Sequence, residues 1–125
     1  MIHVKTGPRV KKIKGQVSGK LFAFLVSQSQ QEKRRLSDVL RDMVYWAIQA
    51  DFLLTDYSSL RPALSSSGAH CFLNLNLDED MLRLWEVYKR KNGFTNDSMT
   101  IRFIVSVAMY EAKQAQKQEQ TTFQF

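Results

Sequence analysis

Asn74 and Asn76 stand two residues apart in Phe72-Leu73-Asn74-Leu75-Asn76-Leu77, and Lys12, Lys14 and Gln16 are spaced the same way in Lys12-Ile13-Lys14-Gly15-Gln16-Val17. Along a β-strand successive side chains point to opposite faces. If Leu73, Leu75 and Leu77 turn to a core, then Phe72, Asn74 and Asn76 turn outward. The same alternation turns Ile13, Gly15 and Val17 inward and Lys12, Lys14 and Gln16 outward. These outward side chains suit the edges of DNA bases. Asparagine and glutamine amides bond bidentately to adenine N6 and N7, lysine donates to guanine O6 and N7, and an apolar ring such as Phe72 packs on a thymine methyl. Each good bidentate pair is worth roughly 1 to 3 kcal/mol of discrimination. The plainer alternative is a solvated strand face with no ligand.

A second chemistry sits where helices are expected to begin. Free backbone N–H groups and the macrodipole make a helix N-terminus an anion site. Ser37 in one half, and Thr95, Asn96 and Ser98 in the other, add side-chain donors at such starts. Lys33, Arg34 and Arg35 precede the first of them. Cations there oppose the dipole unless an anion joins them, which makes these residues candidate phosphate ligands. Arg41 and Arg102 occupy matching positions, but Arg41 has Asp38 three residues before it, the spacing of a helix-surface ion pair.

The elements that must position these groups look like one small unit written twice. Shifted by sixty residues, Val17-Ser18 falls on Leu77-Asp78, Leu21-Phe22 on Met81-Leu82 and Phe24-Leu25 on Leu84-Trp85. With one residue's slip, Leu40-Arg41 falls on Ile101-Arg102, Val44 on Val105 and Ala47 on Ala108. A strand with two short helices cannot bury its own apolar face, whereas two such units can pair and share a core. In the first copy a strand over 10–17 leads to a helix capped by Ser18 and ending near Gln31, then a helix from Ser37-Asp38 to Ala50 or Asp51. A rival reading makes Leu21 to Val26 the strand, and Gly15 weakens the strand it would replace. In the second copy, Asp78-Glu79-Asp80 opens a helix at its acid-favouring end and Lys89-Arg90-Lys91 closes it. Gly93 suits a positive-φ stop, and a further helix starts near Asp97. Trp46 and Trp85 read as packing residues.

The second half resembles the ribbon-helix-helix family of DNA-binding proteins. The resemblance rests on the strand Phe72 to Leu77, the acidic start Asp78-Glu79-Asp80, Asn92-Gly93 between helices, and Ile101-Arg102 followed by Val105 and Ala108. Leu40-Arg41, Val44 and Ala47 resemble the same pattern in the first half. The resemblance implies a mainly α fold with a two-stranded antiparallel β-ribbon, a tandem ribbon-helix-helix pseudo-dimer. It also implies that the ribbon enters the major groove while the starts of the second helices hold phosphates. Two units fused in one chain resemble the TraY family of conjugative plasmids and the border-binding Vir proteins of T-DNA transfer. These are accessory proteins that bind near a transfer origin and help a relaxase.

The implied organisation is a basic arm over 1–9, unit 1 over 10–51, a linker over 52–70, unit 2 over 71–113 and a Gln-rich tail over 114–125, a fraying helix end or disorder. The linker carries breakers such as Pro62 and Gly68, yet Phe52, Tyr57 and Leu60 should hold it against the helices. Of the net charge of +6, the first 35 residues hold nine Lys or Arg against Glu32 alone. Such one-ended charge suits a polyanion, or is a solvated tail.

Cys71, the single cysteine, excludes an internal disulfide. No membrane span or secretory leader is read, so a cytoplasmic protein is expected. His70-Cys71 are chain neighbours rather than a catalytic pair, and no phosphate loop or metal-ligand string occurs. No catalytic residue, metal or cofactor is therefore expected. The expected partners are double-stranded DNA, a relaxase or other transfer protein, and further copies on adjacent subsites. Transcriptional repression by the same fold is the alternative. A helical protein-interaction module, recruiting through residues 114–120 and Phe123-Gln124-Phe125, is the reading from another class.

Overall fold

A computed structural model describes residues 9–122, with side chains over 11–117. Residues 1–8 of the expected arm, and Phe123-Gln124-Phe125, lie outside the described residues. The order is β1 (Arg9–Val17), α1 (Gly19–Glu32), α2 (Leu36–Ala50), a kinked 3-10 segment (Leu54–Leu64), β2 (Cys71–Asp78), α3 (Glu79–Lys91) and α4 (Asp97–Thr122). The fold is mainly helical around one two-stranded antiparallel sheet, and the order strand-helix-helix occurs twice.

β1 and β2 run in opposite directions with Lys12 opposite Asn76, Lys14 opposite Asn74 and Gln16 opposite Phe72. The inward set is closed from solvent: Ile13, Val17, Leu73, Leu75 and Leu77 are all buried. Gly15 is buried with them, and its lack of a side chain has a cause outside the strand. A Cβ placed there would meet Ile101 Cδ1 of α4 at 2.5 Å. The isoleucine fills the space that a larger residue would need.

Helix starts follow local chemistry. Ser18 Oγ accepts from the Leu21 N–H at 3.3 Å, and Asp78 Oδ1 accepts from the Met81 N–H at 2.8 Å, each satisfying an orphan donor of a first turn. Leu21 and Leu25 lie one turn apart on the buried face of α1. That removes the rival reading of Leu21 to Val26 as a strand. α1 and α2 stop at left-handed residues, Lys33 (φ 54°) and Asp51 (φ 55°), where glycine is the usual choice. Gly93 takes positive φ, 71°, just after α3.

The halves interlock. α4 packs on β1, α2 packs on β2, and α2 packs on α4, so each second helix covers the other half's strand. The linker lies against the helices. The Leu54 N–H donates to Asn92 Oδ1 at 2.8 Å, and the Tyr88 hydroxyl donates to the Phe52 carbonyl at 2.7 Å. Tyr57 donates to Glu111 Oε1 at 2.7 Å; burial and that carboxylate push its hydroxyl up to about 12. Residues 114–122, the described part of the Gln-rich tail expected over 114–125 as a fraying helix end or disorder, are the end of α4. Among the described residues no helix is long and apolar enough to cross a membrane.

Candidate nucleic-acid interface

The outward face of the ribbon holds three cross-strand pairs: Lys12 with Asn76, Lys14 with Asn74, and Gln16 with Phe72. Lys12, Lys14, Gln16 and Asn74 are exposed, Asn76 is half-buried, and Phe72 keeps 69% of its surface exposed. A large ring so open on a strand contributes little to this fold. Among the described residues, none of the five polar side chains in this set makes an internal hydrogen bond or ion pair. Their donors and acceptors therefore face solvent. A two-stranded ribbon is narrow enough to enter the DNA major groove.

The ribbon's main chain is held from behind by α4. The Gln16 N–H donates to Ser98 Oγ at 3.0 Å, and Arg102 Nη1 donates to the Gln16 carbonyl at 2.9 Å. Arg102 Nε reaches the Leu64 carbonyl, also at 2.9 Å. One buried guanidinium, 4% exposed, thus ties β1, the 3-10 segment and α4 together. Burial lowers its pKa from the ordinary arginine value. Arg102 is not among the candidate ligands that residue type and spacing pick out. A signal was present: no acidic residue stands three or four positions from Arg102, and Ile101 and Phe103 flank it. Its counterpart Arg41 does pair with Asp38, at 3.3 Å.

The expected phosphate ligands divide. Arg35, 78% exposed at its side chain, precedes the first residue of α2 and lies 3.3 Å from Asp38. Lys33 is exposed at the end of α1. Arg34 turns inward instead, binding the buried Asp42 and reaching Glu32 at 3.5 Å. The hydrogen bond to Asp42 raises its pKa. Cations ahead of α2 were expected to need an outside anion; Asp38 and Asp42 supply that compensation from within the chain. Ser37 is half-buried in the first turn of α2.

At the other start, Asn96 caps α4, its Oδ1 accepting from the Met99 N–H at 2.8 Å. Thr95 and Asn96 are exposed, whereas the Ser98 hydroxyl is engaged with β1. The structure thus brings the α4 start beside the ribbon through Ser98 and Gln16.

Among the described residues no group of three His, Cys, Asp or Glu side chains could hold a metal ion. Asp97, in the first turn of α4, accepts from Trp85 Nε1 at 2.8 Å and from Lys89 Nζ at 3.0 Å. Burial pushes its carboxyl up, but those two donors outweigh burial and hold it below the ordinary value. No family model, curated protein or solved structure matched the chain.

Proposed function

We propose that this chain binds double-stranded DNA by laying the outer face of β1 and β2 in the major groove, as a single-chain ribbon-helix-helix protein. Lys12, Lys14, Gln16, Phe72, Asn74 and Asn76 contact base edges. Arg35, Lys33, Thr95 and Asn96, with the N-termini of α2 and α4, approach the flanking phosphates. The observation that carries the reading is the register: six outward side chains in three opposed pairs, five exposed and Asn76 half-buried, above a face that is wholly buried. The concentration of cationic residues in the first 35 positions adds attraction for a polyanion. No step in this reading is catalytic, and no cofactor enters it.

The role proposed is that of a relaxosome accessory protein binding a transfer origin of a conjugative element, on the strength of the fused-unit resemblance. One chain supplies one ribbon and hence a subsite of a few base pairs, so several chains side by side are needed for tight binding. Selection of bound sequences from a random duplex pool tests the DNA reading. Enrichment of one short motif supports it, and no enrichment with salt-insensitive binding opposes it. Footprinting then separates the roles: protection beside a nick site indicates transfer, and overlap with a promoter indicates repression.

A further inference from the structure

A pocket of about 260 Å³ opens on the flank of the molecule, where the first turn of α1, the 3-10 segment and the middle of α4 meet. Leu60 and Pro62 of the 3-10 segment and Met109 of α4 give it an apolar wall. Lys20 and Lys113 line it from opposite elements, and no acidic residue does. Neither lysine has a carboxylate partner among the described residues. Lys20 also stands in the first turn of α1, which contains no acid. A cation there opposes the helix dipole, so that end of the pocket is positive from both the side chain and the backbone.

Ser106 supplies the second half of the evidence. It lines the same pocket, is only 2% exposed, and its hydroxyl has no hydrogen-bond partner. Buried hydroxyls are normally satisfied by protein or ordered water, and a ligand atom that reproduces the bond can take the water's place. An apolar cavity with convergent polar groups is the ordinary form of a small-ligand site.

We propose that this pocket binds a small monocarboxylate with an apolar body and a hydrogen-bonding atom at its far end. The carboxylate lies at the lysine rim, the body packs on Leu60, Pro62 and Met109, and the far polar atom meets the Ser106 hydroxyl, which turns toward the pocket to receive it. Such a ligand also touches the segment whose last carbonyl, that of Leu64, is gripped by Arg102 one helical turn before Ser106.

The test is an NMR titration of the full chain with 4-hydroxyphenylacetate, and in parallel with its neutral analogue 2-(4-hydroxyphenyl)ethanol. Saturable shifts at Ala63, Ser106 and Met109, with the carboxylate binding tighter, support the site. Lys20→Gln with Lys113→Gln should weaken the acid about tenfold, the combined effect of two exposed charge pairs, without changing affinity for the alcohol. Ser106→Ala should weaken both probes. Equal affinity for acid and alcohol, unchanged affinity in these folded variants, or no saturable shift at the three residues overturns the proposal.

Discussion

Lys14 and Asn74 lie directly opposite each other across the ribbon, and they are sixty residues apart, the offset of the internal repeat. Aligned by that offset, they are counterparts in the two strand-helix-helix segments, and the other outward pairs are arranged to either side of them. Lys12 with Asn76 stands on one side of that pair, Gln16 with Phe72 on the other. An identical dimer would present like residues at related positions. Here lysine answers phenylalanine, lysine answers asparagine, and only glutamine and asparagine share a chemistry.

Under the DNA reading, that mismatch makes the preferred site non-palindromic. Random-pool selection should return a motif whose two halves differ. Lys14→Asn makes the central pair alike, so the selected motif should become more symmetric at its centre. A palindromic motif from the unaltered chain would contradict the assignment of readers.

Asn74→Ala with Asn76→Ala should relax preference at the contacted base pairs by about 1 to 3 kcal/mol each, with little change in the salt slope. Arg35→Ala should instead weaken every sequence alike and reduce the slope of log K against log salt by about one. Competition gel shifts at several salt concentrations distinguish these patterns. If Asn74→Ala and Asn76→Ala lower all affinities evenly, the two asparagines do not read bases.

Gly15→Ala should destabilise the chain by about 1 to 3 kcal/mol, the usual effect of overpacking a filled core. The new Cβ would fall 2.5 Å from Ile101 Cδ1, and Ile101 is fully buried, with little room to turn aside. Ile101→Val removes that terminal methyl. The double variant should recover part of the loss, and urea melts of the four-member cycle would measure the coupling. Additive losses would mean that the contact is not the reason for glycine.

Much of this architecture was legible because its signals are local. The alternation in Phe72 to Leu77, the caps Ser18 and Asp78, and Gly93 each act within a few residues. The register of β1 on β2 was not legible in this way: a sixty-residue offset says which positions are equivalent, but an antiparallel pair can centre on any of them, and the structure centres it on Lys14 and Asn74. What escaped was nonlocal. Gly15 looks like a flaw in β1 until Ile101, a distant neighbour in sequence, is placed against it. Arg34 looks like a free cation until Asp42 is brought beneath it. Arg102 resembles any helical arginine until two main-chain carbonyls from other segments converge on it. The left-handed ends at Lys33 and Asp51 gave no warning, since neither is a residue that favours positive φ as glycine does.

Arg102→Met keeps much of the side chain's bulk while removing its donors. Two carbonyls, of Gln16 and Leu64, then lose their partner. A loss of about 2 to 4 kcal/mol is expected, since unsatisfied buried polar groups cost about 1 to 3 kcal/mol each. Hydrogen exchange should rise at the end of β1 and through the 3-10 segment before it rises elsewhere. Under the DNA reading, preference at the Gln16 subsite should weaken more than at Asn76. Uniform exchange across the chain would assign Arg102 a general packing role only.

Stability should also fall in acid through Asp97. Burial alone would raise its carboxyl pKa, but Trp85 Nε1 and Lys89 Nζ favour the charged form more strongly, so the folded value lies below the ordinary 3.8. A carboxylate lowered on folding contributes stability that is complete above its unfolded value and disappears as pH falls through its folded one. The contribution is therefore full at neutral pH and declines from about pH 4 downward. Lys89 does not alter this window: burial lowers its pKa, but Asp97 and Glu86 raise it further, so it stays charged throughout the acid range. Asp97→Asn keeps an acceptor for Trp85 but loses the charge facing Lys89. Its melting temperature should lie below that of the parent at pH 7, and the gap should narrow as pH approaches 3. A gap that stays constant with pH would mean that the Asp97 charge does not support the start of α4.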